Sequence, residues 1–116
     1  MKTALNTSPR TFEVKGHAIK DFGKIYLADG EMISFVTPNG KEYDFSAKEW
    51  GFYATPSINS RLKKEGFKTA LVVNENNQLY VMSVDVEKME VFKMYLMQNH
   101  DNRIICWLDD FFKSDL

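Results

Sequence analysis

"KTALVVNENNQLYVMSV", Lys68 to Val84, is the stretch whose reading decides the fold. Two apolar runs, "KTALVV" and "QLYVMSV", flank "NENN", a cluster of residues that favour turns, so the segment reads as a β-hairpin. Apolar side chains fall on both faces of each run, the pattern of strands placed centrally in a sheet.

Toward the C-terminus, Asp85 is placed to cap a helix running to about Asn99, with Glu87 in its first turn. "RIICWL", from Arg103, then reads as a buried strand, followed by the acidic and aromatic tail "DDFFKSDL". Toward the N-terminus, "WGFYATPSINSRLKKEGF" (Trp50 to Phe67) predicts a helix over 56–65. Thr55 suits its N-cap and Pro56 its first position, where a missing N–H costs nothing. Gly66 suits the left-handed residue after it, with Phe67 meeting Leu62 across the helix end.

Before that helix, Asp29-Gly30 separates "KIYLA" from "EMISFVT", and Asn39-Gly40 separates the latter from "KEYDF". Both dipeptides suit two-residue hairpin turns, which predicts a β-meander from about Gly23 to Phe45. "TFEVKGHAI" alternates as a strand, with Gly16 as a bulge. Residues 1–10 read as a flexible arm, and 11–116 as a single α+β domain. From Lys41 onward the order is βαββαβ, a ferredoxin-like arrangement after the meander. The expected fold is an antiparallel sheet of about six strands with two helices.

Composition narrows the functional classes. The chain is 44% hydrophobic and 27% charged with a net charge of −1, which lacks the basic excess of a dedicated nucleic-acid binder. Arg61, Lys63, Lys64 and Lys68 against Glu65 leave one segment locally at +3, and "QLYVMSV" offers Tyr80 as the sole aromatic for base stacking. No apolar run approaches the ~18 residues that cross a bilayer. "MKTALNTSPR" has no apolar core of a signal peptide, and the single Cys106 excludes an internal disulfide. These features predict a reducing compartment, most simply a cytoplasm.

No cofactor and no metal is expected. His17 and His100 lie far apart in sequence, Cys106 has no C-x-x-C partner, and adjacent Asp109 and Asp110 on a strand would point to opposite faces. Cys106 within "IICW" reads as an inert thiol. Ser57 and Ser60 have no general base in a recognisable relation to them.

Two features carry the functional expectation. The predicted helix start offers free N–H groups to an anion, and Arg61 leans back over the first turn. With Ser57, Asn59, Thr55 and the aromatics Trp50 and Tyr53, it forms a candidate site for a small anionic ligand. In the second helix, Met89, Phe92, Tyr95 and Leu96 make a core stripe. Val91, Met94 and Met97 form a second row on another side, which Phe111 and Phe112 either cover or extend as an interface, for a homodimer or a protein partner. The sequence therefore predicts a small cytoplasmic, non-catalytic accessory or binding protein. The alternative is a small enzyme acting on a phosphorylated or carboxylated sugar-like substrate, with Arg61 orienting the anion and His17, His100 or Asp44 as acid–base groups.

Overall fold

A computed structural model describes residues 1–98 and 101–112. Among these the chain is α+β, with eight strands in three antiparallel sheets and two helices. The first sheet is a two-stranded ribbon of β1 (Lys2–Val14) and β2 (His17–Tyr26). The second has the order β3-β4-β5, from Met32–Val36, Glu42–Lys48 and Gly51–Ala54. Helix α1 (Arg61–Glu65) leads into β6 (Phe67–Val73) and β7 (Leu79–Asp85). Helix α2 (Met89–Gln98) and β8 (Arg103–Trp107) complete the third sheet, ordered β7-β6-β8.

The hairpin at Lys68–Val84 forms in register, with Lys68 opposite Val84 and Val73 opposite Leu79. Its loop is built by asparagines. Asn74 Oδ1 accepts from the N–H groups of Asn76 and Gln78 at 3.0 and 2.9 Å, and Asn77 takes the left-handed conformation at φ 59°, which asparagine tolerates better than most residues. β6 is the central strand, buried along most of its length, whereas β7 lies at an edge with Leu79 and Val81 exposed.

The single six-strand sheet does not form. Nor is the ferredoxin-like arrangement found: β5 intervenes between β4 and α1, and β4 hydrogen-bonds to β3 and β5 and not to the third sheet. Residues 2–10, expected as a flexible arm, belong to β1. Lys15-Gly16 is not a bulge but the turn of the ribbon, at φ 49° and 80° between the paired Val14 and His17. With β2 occupied by β1, Asp29-Gly30 is a turn between two sheets instead of a hairpin. Glu31 fixes it, accepting from Ala28 N and the N-terminal ammonium, both at 2.6 Å. Asn39-Gly40 does lie between two paired strands, β3 and β4, but within a longer loop over 37–41 and not as a two-residue turn: Gly40 takes a positive φ and Asn39 does not.

Helix α1 is five residues long instead of ten. Thr55 is drawn into the sheet: its N–H donates to Asp44 O at 3.0 Å, and its hydroxyl meets Ser46 Oγ at 2.7 Å. Ser57 receives the helix start in its place, with Oγ accepting from Arg61 N at 3.1 Å and its carbonyl from Leu62 N at 3.0 Å. The other end is as the sequence predicts, with Gly66 at φ 104° and its N–H donating to Lys63 O. Leu62 and Phe67 are both buried.

The core gathers on β6: Phe67, Ala70, Val72 and Val73, with Leu62, Val84 and Ala47. The second and third sheets meet through Tyr43 against Phe67, ring centroids 5.9 Å apart, while α2 packs Phe92 toward Trp107 at 6.2 Å. This core is small for the chain. The radius of gyration is 16.1 Å, against about 13 Å for a compact chain of this length.

Candidate functional site

Three places concentrate side chains capable of chemistry or recognition. The first is the predicted anion site. A cleft of about 220 Å³ lies between β3–β4 and α1, with Glu42, Asp44, Arg61 and Glu65 in its walls above Met32 and Leu62. Of the six expected ligand residues, Arg61 stands in these walls and the other five do not. Asp44 occupies its guanidinium in a two-pronged pair, at 3.3 Å to Nη1 and 3.0 Å to Nη2. The Arg61 hydrogen bonds hold the Asp44 carboxyl below its usual range against the opposing effect of burial. Three carboxylates and one guanidinium make the cleft acidic, which opposes a phosphate or carboxylate ligand.

The remaining ligand candidates are dispersed. Trp50, 74% exposed, stacks on Tyr53 with centroids 5.9 Å apart. Thr55 and Ser57 are engaged in the hydrogen bonds described above, and Asn59 is exposed in the turn before α1. With five residues, α1 has too short a run of aligned peptides for the anion-binding end that the sequence predicts. The described acid–base candidates, His17 and Asp44, line separate clefts. His17, at the ribbon tip, lies 5.0 Å from the Tyr95 ring and lines a second cleft of about 260 Å³ with Ile19, Tyr80 and Met82. Asp44 lines the first cleft, and His100 lies outside the described residues.

The second place is an ion-pair network the sequence reading missed. Leu108–Asp110 form a 3-10 turn and not a strand. Asp109 and Asp110 therefore converge instead of pointing apart, as the strand expectation had it. Lys68 Nζ meets Asp109 at 2.9 Å and Asp110 at 3.3 Å, and Lys63 meets Asp110 at 3.6 Å. The Asp109 side chain has no accessible surface, and its Oδ1 accepts from Thr69 N at 2.9 Å. Burial pushes this carboxyl up, but the Thr69 amide and the Lys68 ammonium outweigh it and leave it below its usual range. Two bases of the +3 segment are thus neutralised in place, so the network is structural. Among the described residues no group of three or more His, Cys, Asp or Glu is placed to hold a metal ion.

A related clamp ties the second sheet to the third. Asp85 accepts from Lys41 Nζ and, at 2.9 Å each, from Asn39 Nδ2 and Glu87 N. The Lys41 and Asn39 hydrogen bonds hold its carboxyl down at about 2. An unfolded aspartate titrates near ~3.9, so the stability this group contributes is complete above that value and lost as pH falls toward 2. Urea midpoints measured at pH 5, 3 and 2 should fall most steeply over the last two. Asp85→Asn should lower the midpoint at pH 5 while flattening that acid decline.

The third place is the outer side of α2. Of the expected core stripe, Phe92, Met89 and Leu96 are half-buried, but Tyr95 is 38% exposed. Val91, Met94 and Met97 are exposed, Met97 by 72%, and Phe111 and Phe112 do not cover them, for Phe112 is itself 87% exposed. Between α2 and β7 lies an apolar groove of about 340 Å³ with Met82, Val84, Val91 and Phe92 in its walls. No helix among the described residues is long and apolar enough to cross a membrane. The chain matches no protein family, no curated protein and no solved structure.

Proposed function

We propose that this is a non-catalytic accessory protein of a reducing compartment, the cytoplasm, that acts by docking the outer face of α2 onto a protein partner. The observation that carries the reading is the exposure of Val91, Met94, Met97, Phe111 and Phe112. Flexible, polarisable methionines suit a surface that packs against another protein.

The acidic cleft beside Arg61 lends no support to a ligand-driven function, and the separation of His17 from that cleft lends none to catalysis. A substitution experiment separates docking surface from hidden core. Met94→Lys with Met97→Lys is expected to change folding stability by no more than about 0.5 kcal/mol, as surface substitutions do. The same variant should bind an apolar fluorescent dye more weakly than the parent. A loss of about 2 kcal/mol or more in chemical denaturation would place the row in the core and remove the proposed surface.

A further inference from the structure

The β1–β2 ribbon meets the rest of the chain near its tip, where His17 lies 5.0 Å from the Tyr95 ring of α2, and that contact leaves most of its length uncovered. Two strands alone are marginally stable in water, yet this ribbon runs 13 residues out and 10 back as a sheet of its own. Its pairing puts Leu5, Phe12, Val14 and Ile19 on one face, since Phe12 lies opposite Ile19, Val14 opposite His17 and Leu5 opposite Gly23. All four are exposed, Leu5 by 59%, although Val14 and Ile19 also line the cleft with Tyr80 and Met82 and the Arg10–Asp21 ion pair shares the face. Gly23 offers no side chain to shield Leu5, and it admits none, because a Cβ there would stand 2.1 Å from the Ala4 carbonyl oxygen. The other face carries Lys2, Lys20 and Lys24, together with the exposed Phe22 and Tyr26.

We infer that the apolar face of this ribbon is covered by a second copy of the same chain. Three observations select that occupant. The accessible surface is 8661 Å², about 2,000 Å² more than the roughly 6,500 Å² of a folded monomer of this mass. Burying that excess on each of two copies removes about 4,000 Å² in total, within the range of obligate homodimers. Second, the chain is divided in charge. Residues 1–26 hold five Lys or Arg against two Asp or Glu, a net +3, whereas the other 90 hold 10 against 14, a net −4. The lysines lie on the opposite face, so the attraction between a basic ribbon and an acidic body acts between copies at long range and not across the buried face, and a two-fold axis satisfies both ribbons at once. Third, the net charge of −1 leaves little repulsion between whole copies.

This inference rests on residues distant in sequence from α2, and it stands or falls separately from the α2 reading. Sedimentation equilibrium of the full chain should give about 27 kDa, twice its 13.5 kDa. Leu5→Glu with Phe12→Glu should weaken association by at least about 100-fold, since both side chains are exposed in the single chain and each carboxylate would face an acidic body. Amide exchange on the parent chain gives a test independent of any variant. Protection across residues 2–26 should rise with protein concentration. A mass of 13.5 kDa at every concentration, exchange in the ribbon independent of concentration, or a dimer indifferent to the two substitutions would each overturn the inference. None of those results bears on the dye binding of the Met94 and Met97 variant, so the two readings fail independently.

Discussion

Replacing Asp109 with alanine is expected to cost about 3 kcal/mol of folding stability, the low end of the range for breaking a buried ion pair from one side. The carboxylate has no accessible surface and serves two donors, Thr69 N and Lys68 Nζ, each at 2.9 Å. Its loss leaves a buried amide N–H without an acceptor and an ammonium that is 24% exposed with Asp110 as its remaining close partner. That partial exposure and the surviving Asp110 contact set the estimate at the low end. Asp110→Ala, by contrast, removes a carboxylate that is 26% exposed and should cost about 1 kcal/mol or less. Urea titration of both variants provides the comparison. Equal and small losses would show that the chain does not depend on this network.

The network also fixes a pH range. Asp109 is held below its usual range, so its contribution is present above the unfolded aspartate value of ~3.9 and disappears on acidification. Lys68 is raised despite burial, by Asp109 and Asp110. Its contribution is complete below the unfolded lysine value of ~10.4 and disappears as pH rises through the folded value. Stability supplied by this pair should therefore be level across neutral pH.

Leu62→Ala is expected to be comparably damaging, at about 3 kcal/mol. Leu62 is 1% exposed and is the buried residue of α1. Five residues cannot sustain a helix on their own propensity, so α1 persists because Leu62 is seated in the core. Its truncation leaves a cavity and releases the segment that holds Arg61 against Asp44. Set against a whole-domain stability of roughly 5–15 kcal/mol, this loss is large for one side chain. Melting temperature should fall by on the order of 10 °C. A drop of only a degree or two would mean that α1 is dispensable.

The hairpin at Lys68–Val84, the place of the Asn39-Gly40 loop and the Gly66 helix end are legible in the sequence because each rests on residues within a few positions. The two sides of α2 are legible for a related reason, since helical period alone separates Phe92 from Met94. Sheet membership is not local. Alternation tells which face a side chain takes but not which strand lies beside it, so "KEYDF" gives no sign that β4 pairs with β3 and β5. The N-cap at Thr55 fails on the same ground, because its hydroxyl had a better-placed partner in Ser46, nine residues earlier. Arg61 looked available as an anion receptor because Asp44, 17 residues away, is invisible to any local pattern. The sequence places Asp109 on a strand, and the 3-10 turn that aims it at Lys68 spans only Leu108–Asp110.

The outer face of α2 is the proposed surface for another protein. Its most direct test is a photoactivatable cross-linking residue at position 97, irradiated in the cells that make the chain, with position 75 in the exposed β6–β7 loop as the control. A discrete protein adduct is expected from 97 and not from 75. No adduct at 97, or the same adducts at both positions, would contradict the assignment of that face.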